Sequence, residues 1–321
     1  MSIIEKAAGK LGQDKESLGI IEKAGSKPGQ SKGSESIIEK AADKLGQSEE
    51  QVTPPLEIIT TISSNTRQKA ADAHGANIPN RKIHKRVELN LTQLHHLGMV
   101  TPDQGKTLVA EEFRLIKRPL IKNAFNQASG SIKHGNLIMV TSSLPKEGKT
   151  FCAINLAMSI AMEMDHTVLL VDADVARPSI LRTLGLKAEI GLMDILLDDK
   201  LDLADVMLKT NVETLSILPA GKSHKHATEL LASQVMSSLL DEIANRYPDR
   251  IVIFDSPPLL LTTEASVLAS HMGQIVMVVE AETTTQHAVK DALRQIETCA
   301  NINLVYNKAK AFPGGNYYGY Y

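Results

Sequence analysis

Six short apolar runs punctuate the C-terminal part of the chain: Leu137-Ile-Met-Val140, Val168-Leu-Leu-Val171, Leu215-Ser-Ile-Leu218, Ile251-Val-Ile-Phe254, Ile275-Val-Met-Val-Val279 and Ile302-Asn-Leu-Val305. Each has the length of a strand. They are nearly continuous in apolar character rather than alternating, which suits strands covered on both faces. Segments of helical period lie between them, from Phe151 to Met164, Thr228 to Tyr247 and Thr285 to Ala300. Parallel strands need long crossovers, and a helix is the usual one. The pattern therefore predicts an α/β fold, a doubly wound and mostly parallel sheet with helices on both faces.

The first fifty residues have a different design. An Ile-Ile-Glu-Lys-Ala core recurs after positions 2, 19 and 36, a period of 17 residues. Each copy could form a two-to-three-turn helix with one apolar stripe, but such helices are marginal alone in water. Residues 1–52 therefore read as a weakly helical or disordered set of repeats able to dock on a partner. Residues 53–86, with Pro54, Pro55 and Pro79, read as a linker. The folded unit is expected at 87–312, followed by a tail at 313–321. Four of the six tyrosines, Tyr317, Tyr318, Tyr320 and Tyr321, stand in the last five residues. Aromatic groups usually serve cores; here glycine keeps them on a flexible end.

Charge and cysteine content exclude several classes. With 35 Lys and Arg against 37 Asp and Glu, the net charge of −2 leaves no surplus for a nucleic-acid backbone. Cys152 and Cys299 are too few for a disulfide framework or metal cluster and read as reduced core residues. The first residues contain no signal-peptide stretch, and no run of about 18 apolar residues occurs, so a cytoplasmic chain is expected. His95 and His96 lack paired ligands and read as ordinary surface or core positions.

The chemistry concentrates at strand ends. After Val140 comes Thr141-Ser-Ser-Leu-Pro-Lys-Glu-Gly-Lys-Thr150 and then a helix, the order strand, loop, helix. Gly148, Lys149 and Thr150 match a phosphate loop, with Ser143 in place of its first glycine. Backbone amides from Pro145, Lys146, Glu147, Gly148, Lys149 and Thr150 toward Phe151 lie where a β-phosphate would be wrapped, apart from proline's missing N–H. Lys149 would neutralise phosphate oxygens, and Thr150 would ligate Mg²⁺. Asp172 and Asp174 follow one strand and Asp255 another, as in a Walker B motif. These features together predict a P-loop NTPase-type sheet that binds ATP and Mg²⁺.

From about Leu89 onward the chain resembles the bacterial tyrosine kinases, the P-loop autokinases of capsule and exopolysaccharide systems. It is most similar to the cytosolic autokinase of exosortase-associated (PEP-CTERM) clusters. The resemblance rests on the Pro-x-x-Gly-Lys-Thr loop, the Asp172-x-Asp174 motif, Asp255-x-x-Pro258 and the tyrosine cluster. Ala176 stands where the family has Arg, with Arg177 one place later. The resemblance implies that Asp172 acts as a base near the acceptor hydroxyl and metal, that Asp174 positions the metal shell, and that Asn307 contacts adenine. It also implies that Glu111, Arg114 and Lys117 contact the next subunit of a ring, Lys117 replacing an Arg. Tyr317, Tyr318, Tyr320 and Tyr321 become the phosphoacceptors.

The implied activity is ATP-dependent tyrosine autophosphorylation in trans that regulates exopolysaccharide synthesis or export. The implied partners are a homo-oligomer, a membrane chain-length determinant that recruits the kinase to the inner face of the membrane, and a phosphotyrosine phosphatase. Two alternatives remain at this point. Partition and division-site ATPases share the acidic motifs but carry a signature Lys where this chain has Leu144. A noncatalytic nucleotide-sensing adaptor would not need Lys149, Asp172 and Asp255 intact.

Overall fold

The computed structural model describes residues 85–104, 107–125 and 132–310. The repeats, nearly all of the linker and the tyrosine tail lie outside them. Strand β1 is Lys85–Arg86, followed by helices α1 (Leu91–His96) and α2 (Leu108–Phe125). Then come β2 (Leu137–Ser142), α3 (Lys149–Ala161), β3 (Thr167–Asp172), α4 (Ile180–Thr183), α5 (Leu192–Leu197), α6 (Leu203–Val206), β4 (Leu208–Lys209) and β5 (Leu215–Leu218). The remainder is α7 (Ala227–Leu231), α8 (Gln234–Arg246), β6 (Arg250–Asp255), α9 (Thr263–Ala269), β7 (Gln274–Glu280), α10 (Gln286–Arg294) and β8 (Ile302–Asn307).

All six expected strands form, in one eight-stranded sheet of order β1-β4-β5-β3-β6-β2-β7-β8. Every pairing from β5 to β8 is parallel. Two strands were not foreseen. β4 runs antiparallel to β5, and β1 pairs with it at the far edge. Each is only two residues long, too short to show periodicity.

Alternation along the strands splits the core into two layers. Leu137, Met139, Leu169 and Phe254 face one layer, while Ile138, Val140, Leu170 and Ile253 face the other. Helix α3 lies inside the second layer, and every residue from Cys152 to Ala161 is buried. A helix buried all round needs cover on both sides; the sheet gives one and α2 the other. Both cysteines are buried and free.

Two helical segments are shorter than their sequence pattern. The stretch 228–247 is broken because the Ser233 hydroxyl accepts the Met236 N–H at 3.2 Å and caps α8. Thr285 likewise caps α10, which ends at Arg294. Among the described residues no helix is long and apolar enough to cross a membrane.

The three charged positions on α2 do not share a face. At about 100° per residue, position i+6 stands roughly 120° round the helix from position i. Glu111 and Arg114 pair with each other on the outer side, with side chains 54% and 35% exposed. Lys117 joins the inward stripe of Ala110, Phe113 and Leu120 and is itself buried. Its ammonium donates to Ser159 O at 2.5 Å and pairs with Glu163 at 2.6 Å, tying α2 to the end of α3. The assignment of Lys117 as a subunit contact is therefore corrected: it is a packing residue. Lys117→Ala should cost about 2–3 kcal/mol, because it strands the buried Ser159 carbonyl and empties the space of a buried side chain, a fall of several degrees in melting temperature. Glu111→Ala should stay within about 0.5 kcal/mol. Equal melting temperatures for the two variants would contradict this placement.

Candidate active site

The carboxyl ends of β2, β6 and β3 lie side by side in the middle of the sheet. Strand β2 runs into the loop Ser143–Gly148, and α3 starts at Lys149. Two residues of the loop have positive φ, Lys146 at 67° and Gly148 at 94°. Only glycine fits the second, since a Cβ there would stand 2.0 Å from Asn307 Nδ2. Ser143, the substitute for a loop glycine, is buried, and its hydroxyl has no partner. Leu144, Pro145 and Lys146 form the exposed tip. Phe151 is half-buried on the first turn of α3.

The lysine and threonine that follow reach toward the carboxylates. Lys149 Nζ lies 2.9 Å from Asp174 Oδ2. Burial lowers its pKa, but Asp255, Asp174 and Asp172 outweigh that effect, so the ammonium is held above its ordinary value. The Thr150 hydroxyl donates to Asp255 Oδ2 at 2.6 Å and lies 2.9 Å from Ser179 Oγ. Asp172 Oδ2 accepts the N–H groups of Ser179 and Ile180, both at 3.0 Å. Asp174 Oδ1 accepts the Arg177 N–H at 3.1 Å. Arg177 itself is exposed, as is Ala176, so its link to the site runs through the backbone.

Asp172 and Asp255 are direct partners across the β3–β6 ladder, and both are 0% exposed. Burial and then the charge of Asp255 push Asp172 up to about 7, against the pull of its two backbone donors. Burial raises Asp255 to about 6, with Lys149 and Thr150 pulling the other way. Asp172 Oδ1 and Asp255 Oδ1 are buried without a partner.

Two orphaned carboxylate oxygens beside a hydroxyl suit a divalent cation that retains some of its water. Among the described residues no group of three or more His, Cys, Asp or Glu could hold a metal by itself. That donor set fits Mg²⁺, which takes one or two carboxylates and completes its shell with water and phosphate. The first-turn amides of the 13-residue helix α3 and the left-handed loop fit a polyphosphate.

On the other side of β2, Asn307 ends β8, 8% exposed, and donates Nδ2 to Glu147 O at 2.8 Å. Three further participants escaped the sequence. Ser179 touches both Thr150 and Asp172, Thr284 bonds the Glu147 carboxylate, and the Glu147 side chain, not only its amide, shapes the loop. A serine after Pro178 at a helix start was the one available signal; Thr284 had none. Glu111, Arg114 and Lys117 lie on α2, outside this cluster, and Tyr317, Tyr318, Tyr320 and Tyr321 fall outside the described residues.

A family model described as "AAA domain" matches residues 137–308, just over half of the chain. The tyrosine-protein kinase YwqD of Bacillus subtilis is 29% identical over 226 residues, which cover 70% of this chain and 91% of that protein. Among solved structures, the chimerical protein CapA2B2 superposes with a TM-score of 0.56 at 25% identity, covering 71% of this chain and 94% of its own. The kinase domain of the Escherichia coli tyrosine kinase ETK superposes with a TM-score of 0.53 at 26% identity, covering 63% and 77% respectively.

The facing carboxylates make a stability prediction. A carboxyl whose folded pKa is raised stabilises fully below its unfolded value near 4, and that contribution is lost as pH rises through about 7. Without nucleotide and Mg²⁺, Asp172→Asn should therefore unfold like wild type at pH 4 and be about 1–3 kcal/mol more stable at pH 8. Denaturant midpoints at both pH values check this; a less stable variant at pH 8 would contradict it.

Proposed function

Because the chain belongs to the AAA domain family over residues 137–308 and, within it, to the bacterial tyrosine-protein kinases, we propose that it is an ATP- and Mg²⁺-dependent tyrosine autokinase. The observation that carries this reading is the meeting of Asp172 and Asp255 in register beside the Thr150 hydroxyl, in a chain whose last five residues hold four tyrosines. Lys149 leaves Asp174 to neutralise the β- and γ-phosphates. Thr150, Asp172 and Asp255 would hold Mg²⁺, which would supply charge neutralisation at the phosphates, and Asp174 would position its water shell. Asp172 takes the tyrosine proton as the new O–P bond forms and the bond to the ADP oxygen breaks. Asn307 lies on the adenine side.

The substrate is the tail of a neighbouring copy, at Tyr317, Tyr318, Tyr320 and Tyr321, presented within a ring. Glu111 and Arg114, on the outer face of α2, serve the subunit contact. Each phosphate adds about −1.5 to −2 charge, so a phosphorylated tail is repelled from the acidic site and the ring loosens. Residues 87–312, with the edge strand β1 at Lys85–Arg86 just before them, form the kinase domain, 313–321 the substrate tail, the rest of 53–86 a linker and 1–52 docking repeats. The likeness to bacterial tyrosine-protein kinases supports a role in capsule or exopolysaccharide export, which we place in an exosortase-associated cluster. It also supports recruitment to the inner membrane face by a chain-length determinant, with a phosphotyrosine phosphatase to reset the tail. Similarity to a chimera, which joins two proteins, agrees with a partner-dependent kinase.

Lys149→Met should abolish phosphotyrosine on incubation with ATP and Mg²⁺ while circular dichroism stays unchanged. Wild-type signal in that variant would overturn the assignment. Deleting residues 1–52 should leave the rate within about threefold, less than 1 kcal/mol in barrier; a tenfold loss would place the repeats in the catalytic assembly.

A further inference from the structure

A carboxylate inside a phosphate-binding loop is electrostatically out of place, since a nucleotide brings negative charge to the same amides. Glu147 is such a group, and it is only 2% exposed. Among the described residues its oxygens meet donors and no cation. Oε2 accepts the Leu144 N–H at 2.7 Å; Oε1 accepts the Thr284 hydroxyl and stands 3.5 Å from Glu280 N. Its main-chain oxygen accepts Asn307 Nδ2 at 2.8 Å. One residue thus ties the loop to its own first turn, to the turn after β7 and to the end of β8.

Those tethers lie on the β7–β8 side of β2. The opposite side is tied through Lys149 to Asp174 and Thr150 to Asp255. Charged acceptors make the stronger hydrogen bonds, so a buried carboxylate with two good donors defines a shape well. The close approach of Asn307 to Gly148 requires that shape.

We infer that Glu147 is a positioning residue that pre-forms the phosphate loop and couples it, through Thr284 and Asn307, to the side that holds the base. This rests on the nucleotide-binding reading above. Removing the carboxylate should therefore cost nucleotide affinity rather than the chemical step. Glutamine should restore the network, because its carbonyl can accept from Leu144 N–H while the Thr284 hydroxyl turns to accept from the amide.

The test uses the full chain with Mg²⁺ and a fluorescent N-methylanthraniloyl ADP, and measures kcat and KM for ATP in parallel. Glu147→Ala removes the hydrogen bonds from both Leu144 N–H and the Thr284 hydroxyl and should raise the dissociation constant and KM about tenfold or more, with kcat at saturating ATP within about threefold. Glu147→Gln should recover most of that affinity. Thr284→Val should weaken binding about threefold in the wild-type background and add nothing to Glu147→Ala. Glu147→Ala binding as tightly as wild type, a loss in kcat alone, or full additivity of the two substitutions would each overturn the inference. If Glu147→Ala does not fold, Glu147→Gln and Thr284→Val decide by the same readout: unchanged affinity in Thr284→Val, or a tenfold loss in Glu147→Gln, overturns it. A wild-type chain that binds the fluorescent nucleotide but forms no phosphotyrosine contradicts the kinase reading and leaves this one standing.

Discussion

Two carboxylates face each other across neighbouring central strands, fully buried, and the site is organised around keeping them there. Asp172 and Asp255 are ladder partners, so the parallel register of β3 and β6 itself creates their proximity. Like charges opposite one another on adjacent strands repel, and burial adds a desolvation cost. Backbone N–H groups of Ser179 and Ile180, the Thr150 hydroxyl and the Lys149 ammonium offset part of it. One oxygen of each carboxylate is left without a donor. Stability is sacrificed where a cation and its phosphates would relieve the strain, the usual trade at a functional site.

Strand order puts the loop between two kinds of support. β2 lies between β6, which carries Asp255, and β7, whose following turn carries Thr284. On one side the loop's successors hold acidic groups; on the other Glu147 and Asn307 hold the loop. Helix α3, buried all round, fixes the first-turn amides relative to both sides, and Lys117 locks its far end to α2. A phosphate loop in this setting has little freedom to collapse, which preserves amides aimed at a ligand.

Much of this was legible in the sequence, for identifiable reasons. Central parallel strands are apolar on both faces, so Leu137–Val140 and Ile251–Phe254 could be recognised without alternation. Asp172, Asp174 and Asp255 stood out because a carboxylate directly after such a run has to lie at a strand end. β1 and β4 did not show because two-residue strands carry no period. The break at Ser233 is a local competition, a hydroxyl capping a helix where apolar periodicity continued. The family motif assigns Lys117 to a subunit contact, although Ala110, Phe113 and Leu120 mark the inward stripe it occupies. Glu147 and Thr284 lie 137 residues apart, and nothing local announces a contact set by sheet order.

The central claim is that the strand ends beside Lys149 transfer phosphate to the tyrosine tail of another copy. It is tested most directly by mixing two chains with ATP and Mg²⁺: one active but ending at residue 312, the other full-length and carrying Lys149→Met. Peptide mass spectrometry then locates the phosphate. The account predicts phosphorylation of the Lys149→Met chain at Tyr317, Tyr318, Tyr320 or Tyr321, at a rate that rises with the concentration of the active chain. An unmodified tail in that mixture, alongside a wild-type chain that modifies its own tail at a concentration-independent rate, would contradict it.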